Sequence, residues 1–351
     1  MVSNDDVLRA LRTVADPELG RDIVTLNMVK NLRVDGDVVR FTLNLTTPAC
    51  PLRSKMEQDA RTAAASVKGV KRVEMVTTAE VASTRLPQSA EALPGVKNII
   101  AVASGKGGVG KSTVAVNLSL ALASSGAAVG LLDADIYGPN IPLMMGITDR
   151  PQVRENTIIP PVSRGVKVAS LGFFYKDETA LVWRGPMVAG AVKQLITQVE
   201  WGRLDYLIID LPPGTGDSSL TVAQTVPLSG VIIVSTPQQA ALAIATKSIA
   251  MFRKLNVPII GVIENMSYFV CPHCGEKSFI FSHGGARQAA ADLDVQFLGE
   301  IPIYPKIREQ SDIGEPVVVA APDSPEATAF KEIAFRVAGM VSILAYSPGR
   351  K

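Results

Sequence analysis

Short apolar runs alternate with stretches of helical periodicity along the last two thirds of the chain. The runs predict strands at residues 99–103, 128–133, 166–170, 206–210, 230–235, 259–263 and 297–301. These segments are rich in Val and Ile and carry few polar residues, as strands buried on both faces do. Because helical patterns separate them, we predict an α/β fold with a mostly parallel sheet that helices cover on both faces.

The beginning of the chain has a different pattern. An amphipathic helix is followed by two alternating strands at 29–34 and 38–45 around the turn Asp35-Gly36, then by a helix at 52–67 and a strand at 70–76. This order predicts a small α+β domain over residues 1–82. Residues 83–96 are rich in Ser, Ala and Pro, which is typical of a linker. Residues 97–351 then form the second domain.

Composition limits the classes of function. The 351 residues are 47% hydrophobic and 19% charged with a net charge of +2, which gives no electrostatic argument for a nucleic-acid partner. The acidic N-terminus does not resemble a signal peptide, and no apolar run is long enough to span a membrane. Three cysteines, Cys50, Cys271 and Cys274, are too few for a disulfide framework. We therefore expect a cytoplasmic protein with neither nucleic acid nor a membrane as a partner.

A glycine-rich loop follows the strand at 99–103. It consists of Gly105, Lys106, Gly107, Gly108, Val109, Gly110, Lys111, Ser112 and Thr113 and matches G-x-x-x-x-G-K-[ST]. Glycines let successive amide N–H groups point into one concavity at a helix N-terminus, which favours phosphate. We predict that Lys111 reaches the β- and γ-phosphates of ATP and that Ser112 binds Mg²⁺. The alternative is a turn that binds nothing, but the order of strand, loop and helix favours the nucleotide.

Carboxylates stand at the ends of two other predicted strands. Asp133 and Asp135 follow the strand after the glycine-rich loop, where ligands gather in parallel sheets. They are candidates for holding metal-bound water or orienting an attacking water, and a solvated acid pair is the alternative. Asp210 follows four apolar residues and is expected to reach Mg²⁺ beside the phosphate loop. Prolines and glycines follow it, and Asp217 belongs either to a conformational switch or to a helix cap.

The third feature is the pair Cys271 and Cys274, spaced C-x-x-C on a Pro/Gly-rich turn. Two such thiolates can face one metal, but they leave a four-coordinate ion half satisfied. A symmetric dimer would supply the other two ligands. We expect His273, between the cysteines, to face solvent and His283 to cap a helix.

The combination of motifs resembles the Mrp/ApbC family of iron–sulfur cluster carrier ATPases. The loop GKGGVGKST resembles the deviant Walker A group, which includes MinD, ParA and the nitrogenase iron protein. Further matching segments are residues 133–140, 210–217, 264–266 and 271–274. The N-terminal segments 16–18 and 47–51 resemble an accessory domain of iron–sulfur assembly factors.

The resemblance implies roles for the ATPase residues. Lys106 would contact the phosphates of a partner subunit, so that hydrolysis requires a homodimer, with Lys106, Lys111 and Asp135 as catalytic residues. Asp135 would position water, and Asp133 would join Ser112 and Asp210 in supporting Mg²⁺. Asn265 would recognise the adenine edge; a turn asparagine that satisfies its own backbone is the alternative.

For the cysteines, the resemblance implies a bridging [4Fe–4S] cluster. Cys271 and Cys274 of both subunits would hold it loosely and pass it between cluster scaffold proteins and apo iron–sulfur proteins. Cys50 would hold or relay a cluster transiently, at a helix start whose dipole lowers the thiol pKa. Burial as an inert residue is the alternative for Cys50.

Three other interpretations stay open. A structural zinc or no metal competes with the cluster, because thiolates accept both zinc and iron–sulfur clusters. A MinD- or ParA-like positioning ATPase would not explain Cys271 and Cys274, and the wide apolar stripe at 326–346 predicts a helix packed on the core instead of a membrane anchor. An ATP-coupled electron-transfer protein is less consistent with C-x-x-C spacing. Recipient proteins, the cluster donor, the cluster type and the step driven by ATP are not encoded in these motifs.

Overall fold

The computed structural model describes residues 2–50, 52–84, 93–135, 138–174, 185–214 and 216–346. Contacts divide the chain into one unit of Met1–Thr84 with Ala338–Lys351 and a second unit of Arg85–Val337. Some predicted features lie outside the described residues: residues 85–92 of the linker, Pro51, Thr215, and Ile136 and Tyr137 of the segment 133–140.

The first unit is a small α+β fold, as predicted. Its elements are α1 (Asn4–Leu11), β1 (Ala15–Asp16), β2 (Arg21–Asp22), β3 (Val29–Asp35), β4 (Val38–Leu45), α2 (Arg53–Ala65) and β5 (Arg72–Ala79). The three-stranded sheet has the order β3-β4-β5, with β3 antiparallel and β5 parallel to β4.

Local sequence signals account for these elements. Ser3 caps α1 by accepting the Asp6 N–H at 3.2 Å. Gly36 takes a φ of +64° in the hairpin turn between β3 and β4. Along β4, the apolar positions are buried on one face, as their alternation predicted. That face packs with the buried side of α2 to form the core of the unit.

The second unit contains a nine-stranded sheet. Its strands are β6 (Val96–Ser104), β7 (Val129–Asp133), β10 (Val162–Ser163), β11 (Val166–Ser170), β12 (Leu204–Asp210), β13 (Gly230–Ser235), β14 (Ile259–Val270), β15 (Lys277–Ser278) and β16 (Phe297–Ile303). The order is β10-β11-β7-β12-β6-β13-β14-β15, and β16 also pairs with β14. Among the described strands of this sheet, only β10, which pairs with β11, and β15, which pairs with β14, are antiparallel to their neighbours. A separate hairpin joins β8 (Gln152–Arg154) and β9 (Thr157–Ile159).

Helices separate the parallel strands. They are α3 (Lys111–Ser124), α4 (Ile141–Met144), α5 (Gly185–Thr197), α6 (Asp217–Thr225), α7 (Gln239–Lys254), α8 (Gly285–Asp292), α9 (Pro305–Asp312), α10 (Val317–Ala320) and α11 (Pro325–Tyr346), with a 3₁₀ turn at Leu171–Phe173. None of the helices in the described part of the chain is long and apolar enough to cross a bilayer.

Burial confirms the predicted layers. Every residue of β7 and of β13 is buried, which is the pattern of strands covered on both faces. Helix α3 is buried almost all round, from Lys111 to Leu122. The apolar stripe of α11 is buried from Ala327 to Val341, so the prediction that this helix packs on a core is confirmed.

One strand is longer than predicted. The sequence predicts a strand that ends at residue 263, yet β14 continues to Val270. Pairing with β16 extends it, although the register shifts between Asn265 and Phe269. Met266, which has a φ of +57°, lies within this irregular stretch. Asn265 therefore lies inside a strand and not in the turn that follows one.

Candidate functional site

The strand order brings three predicted motifs to one edge of the sheet. Strands β7, β12 and β6 are adjacent and parallel, so their carboxyl ends lie side by side. Asp133 ends β7, Asp210 ends β12 and pairs with Asp133 in register, and the glycine-rich loop follows β6. The motifs that stand far apart in sequence thus meet where parallel sheets bind ligands.

Two glycines of the loop are required by their surroundings. Gly110 precedes α3 with a φ of +80°, and a Cβ there would lie 2.2 Å from Asn265 Nδ2. A Cβ on Gly105 would lie 2.8 Å from the backbone carbon of Ile244. The left-handed turn and the close packing both favour glycine.

The second lysine of the loop forms a buried ion pair. Lys111 Nζ lies 2.6 Å from Asp210 Oδ1, and Ser112 Oγ donates to Asp210 Oδ2 at 2.6 Å. Lys111 is 6% exposed, and Asp210 is fully buried. Burial raises the pKa of Asp210, and the Lys111 ammonium opposes that shift. The hydroxyl and carboxylate oxygens of Ser112 and Asp210 are hard donors that fit Mg²⁺.

Asp133 is held by a network at the end of β7. It accepts hydrogen bonds from Ser170 Oγ at 3.0 Å, from the Asp135 N–H at 3.1 Å and from the Ile141 N–H at 3.4 Å. Burial, followed by the charge of Asp210, raises the pKa of Asp133 to about 8. The Asp133 carboxyl group therefore holds the backbone N–H groups of both Asp135 and Ile141.

A cavity of about 730 Å³ opens beside the loop, a size that suits a small-molecule ligand. Its polar lining includes Lys106, Lys111, Ser112, Asp135 and Asn265. Its apolar lining includes Leu143, Met144, Met266, Pro302, Ile303, Tyr304 and Ile307. The sequence analysis missed the residues after β16, although they follow a parallel strand at the same edge and that position was a usable signal.

Two predicted ligand-binding side chains contact the protein itself. Asn265 is 7% exposed and donates from Nδ2 to the Val109 carbonyl oxygen at 2.7 Å. Lys106 Nζ donates to Gln238 Oε1 at 2.9 Å. The sequence analysis did not identify Gln238, which stands just beyond the end of β13.

The position of Asp217 decides one of its two predicted roles. Helix α6 begins at Asp217, and Gly216 occupies its cap position. Asp217 is therefore the first residue of the helix and does not cap it.

The two cysteines of the C-x-x-C motif lie in the loop of a β-hairpin. Strands β14 and β15 pair at Phe269–Ser278 and Val270–Lys277, which leaves residues 271–276 as the loop. The Cys271 N–H donates to the Glu276 carbonyl, and Gly275 closes the turn with a φ of +73°. We call residues 268–278 the cysteine hairpin.

The thiols of this hairpin suit a soft metal. Cys271 is half-buried and Cys274 is exposed, and both are free. Backbone N–H groups of Cys274 and His273 point at the Cys271 sulfur and lower its pKa, which favours the thiolate. In the described part of the chain, no group of three clustered His, Cys, Asp or Glu ligands includes either cysteine. One chain therefore offers this site two ligands.

A polar cluster lies at the base of the cysteine hairpin. The buried Glu264 accepts the N–H groups of Gly284 at 3.0 Å and Ala286 at 2.7 Å, at the start of α8. His283 Nε2 lies 3.0 Å from Glu300 Oε2. The prediction that His283 caps a helix is wrong, because Glu264 takes that part. Glu264, His283 and Glu300 place ligand atoms within 4.8 Å of one another. Glu264 already accepts the N–H groups at the start of α8, and His283 already contacts Glu300, so these contacts explain the cluster without a metal.

Cys50 differs from its prediction. It is half-buried, and the pKa of its thiol is raised by burial and by the carboxylates of Glu18 and Asp16. Helix α2 begins only at Arg53, and desolvation outweighs the hydrogen bond from Leu52. The expectation of a lowered pKa is therefore wrong, whereas a part in cluster relay stays untested.

Comparisons with known sequences agree with the motifs. Residues 95–338 match a family model described as NUBPL iron-transfer P-loop NTPase, and residues 4–75 match one described as iron–sulfur cluster assembly protein. An iron–sulfur cluster carrier protein of Synechocystis sp. is 46% identical over 98% of this chain and 99% of its own length. An iron–sulfur cluster transfer protein NUBPL of Dictyostelium discoideum is 50% identical over 74% of this chain and 82% of its own.

Solved structures share the fold of the second unit. A nucleotide-binding protein of Archaeoglobus fulgidus in complex with ADP is 38% identical with a TM-score of 0.59. The match covers 68% of this chain and 92% of the Archaeoglobus fulgidus chain. The cell division ATPase MinD of Pyrococcus furiosus is 26% identical with a TM-score of 0.54, and the match covers 68% of this chain and 98% of the MinD chain. The predicted fold class is confirmed.

Proposed function

The chain belongs to the NUBPL iron-transfer P-loop NTPase family, and from that premise we propose that it binds and hydrolyses ATP and carries an iron–sulfur cluster to apo iron–sulfur proteins. The observation that carries the proposal is the presence of two sites in one unit. A phosphate loop with a buried Lys111–Asp210 pair accompanies a hairpin that carries two free thiols. Neither site alone would distinguish a carrier from a switch ATPase.

The phosphate site supports ATP hydrolysis through positioning and charge. Bound Mg²⁺, held by Ser112 and Asp210, would neutralise charge that develops on the transferred phosphoryl group. The loop amides and Lys111 would hold the phosphates, Asp135 would orient the attacking water, and Asp133 would support the magnesium shell. Lys106 would reach the phosphates of a partner subunit, and Asn265 would contact adenine with the part of its amide that does not bind Val109.

The cysteine hairpin supports a cargo site shared by two copies. Cys271 and Cys274 give two soft ligands, and a homodimer would bring four thiolates to one [4Fe–4S] cluster. The lowered pKa of Cys271 favours the thiolate form that such clusters require. The exposure of Cys274 would give donor and recipient proteins access to the cargo.

The first unit would assist this transfer. Its match to an iron–sulfur cluster assembly family favours contacts with cluster scaffold proteins or recipients. The proposed division stays at residues 1–82 for this domain, 83–96 for the linker and 97–351 for the ATPase domain. The cytoplasmic location likewise remains a prediction.

A structural zinc site in a MinD-like switch is the second candidate. The same two thiols favour it, because Cys₄ sites bind zinc as well as clusters. Zinc would close the dimer without providing cargo.

Anaerobic reconstitution with iron and sulfide would test the proposal. We expect broad absorption near ~400 nm and about four iron atoms per dimer. The Cys271→Ala/Cys274→Ala variant should lose both signals, and Cys50→Ala is the matched control that should keep them. Stoichiometric zinc, or no metal in the wild-type protein, would favour the switch ATPase.

A further inference from the structure

The contact between Lys106 and Gln238 has no part in the functions assigned above. We propose that Gln238 is a positioning residue that holds the Lys106 side chain on its own subunit, and that this contact must break before Lys106 can enter a partner's phosphate site. The inference rests on the proposed function for the release step alone. The holding contact itself is a property of the single chain.

The geometry fixes the acceptor. Lys106 Nζ donates to Gln238 Oε1 at 2.9 Å, and the hydroxyl of the buried Thr236 lies 3.4 Å from the same oxygen. Gln238 occupies the cap position at the N-terminus of α7 and lies three residues after the end of β13, so a strand and a helix hold its backbone from both sides. The amide oxygen is therefore aimed at the phosphate loop.

The backbone of Lys106 is tied to the strand that precedes it. Ser104 Oγ donates to the Lys106 carbonyl oxygen at 3.0 Å, which fixes the backbone. The Lys106 side chain is partly exposed and also lines the cavity beside the loop. Rotation about side-chain bonds is enough to separate the ammonium from Gln238.

The choice of acceptor makes the contact reversible. Lys111 is paired with the buried carboxylate of Asp210, and breaking this pair would leave a buried charge without a partner unless another charged group replaced it. Lys106 has a neutral amide as its partner, which attracts an ammonium less strongly than a carboxylate does. The two lysines of one loop are thus held with different strengths, Lys111 by a buried carboxylate and Lys106 by a neutral amide.

Two substitutions at Gln238 should act in opposite directions. Gln238→Ala removes the competing acceptor from both subunits, so ATP-dependent dimerisation should tighten by roughly tenfold to a hundredfold. One ordinary hydrogen bond accounts for roughly threefold to tenfold, and each dimer must break two such contacts. Gln238→Glu replaces the amide with a carboxylate, so dimerisation should weaken and turnover at saturating ATP should fall. Gln239→Ala is the matched control, because Gln239 is exposed and is the next residue of the same segment.

Sedimentation velocity with ATP and Mg²⁺, together with steady-state kinetics, would measure these effects. The affinity of the monomer for ATP should stay unchanged in all three variants. In a Lys106→Ala background, both Gln238 substitutions should lose their effect. If Gln238→Ala and Gln238→Glu shift dimerisation in the same direction, or act equally without Lys106, the proposal is overturned.

A wild-type protein that does not dimerise with ATP would contradict the proposed function and the release step. The holding contact has an independent test: a double-mutant cycle of Lys106→Ala and Gln238→Ala on unfolding of the nucleotide-free monomer. Non-additive effects would support the contact, and additive effects would overturn it.

Discussion

The phosphate loop and the cysteine hairpin are both short turns with a left-handed glycine, but their ligand groups lie in opposite environments. Gly110 has a φ of +80° and Gly275 a φ of +73°. Around the loop, Lys111 and Asp210 are buried against each other. In the hairpin, Cys274 is exposed and Cys271 is half-buried. One chain therefore brings most groups of the proposed anion site together but supplies only two ligands to the proposed metal site.

Position in the sheet explains the difference. Strand β6, which leads into the loop, lies between β12 and β13, so side chains from several strand ends converge on it. The end of β14 runs into a hairpin with the two-residue strand β15. Fewer segments of the same chain surround the thiols. Many groups of one chain converge where several strand ends meet, whereas a single hairpin leaves its ligand groups open to another molecule.

The largest expected effect concerns the buried ion pair. Asp210→Asn leaves the Lys111 ammonium buried without a counter-charge, so the free energy of unfolding should fall by about 3–5 kcal/mol. Asp312→Asn is the control, since the exposed pair Arg308–Asp312 should contribute less than about 1 kcal/mol. Urea denaturation would measure both changes. Equal losses in the two variants would show that burial does not distinguish the pairs.

Gly110→Ala should have the next largest effect. The substitution forces a left-handed backbone on alanine and places a methyl group 2.2 Å from Asn265 Nδ2, so we expect a loss of about 2–5 kcal/mol in unfolding free energy. Nucleotide affinity should fall with it. Gly107→Ala, where a Cβ meets nothing within 4 Å, is the control for folding. A loss no greater than that of Gly107→Ala would contradict the close approach.

Gly275→Ala isolates the backbone strain without the clash. A Cβ at Gly275 meets nothing within 4 Å, so only the left-handed strain of about 1–2 kcal/mol remains. Calorimetric unfolding should show this smaller loss, with ATP binding unchanged. A larger loss than that of Gly110→Ala would mean that the hairpin is packed more tightly than its exposure indicates.

The smallest effect is on thiol reactivity and leaves stability unchanged. The pKa of Cys271 is lowered by backbone N–H groups, whereas burial raises the pKa of Cys50. Because the thiolate reacts, Cys271 should be alkylated at a lower pH than Cys50. Iodoacetamide labelling across pH 6–10, read by mass spectrometry, would give two separate midpoints. Coincident midpoints would remove the difference between the two environments.

Much of this molecule follows from local patterns. The apolar runs predicted the seven parallel strands because side chains buried on both faces must be apolar whatever surrounds them. The spacing of Gly105, Gly110 and Lys111 predicted a phosphate loop because turn geometry depends on adjacent residues. The two cysteines predicted a shared metal site from ligand number, and that site stays a prediction. These features need little more than their own neighbours in sequence.

Other features depend on segments that meet only after folding. Strand β14 reaches Val270 because β16 pairs beside it, and the Cys50 pKa rises because its surroundings exclude water. The hydrogen bond from Lys106 to Gln238 joins residues 132 positions apart. The sequence by itself determined which residues are candidates for binding phosphate and metal, since stereochemistry and donor type are local. Only the tertiary structure decided their charge state and partners, since desolvation and distance arise from packing between remote segments.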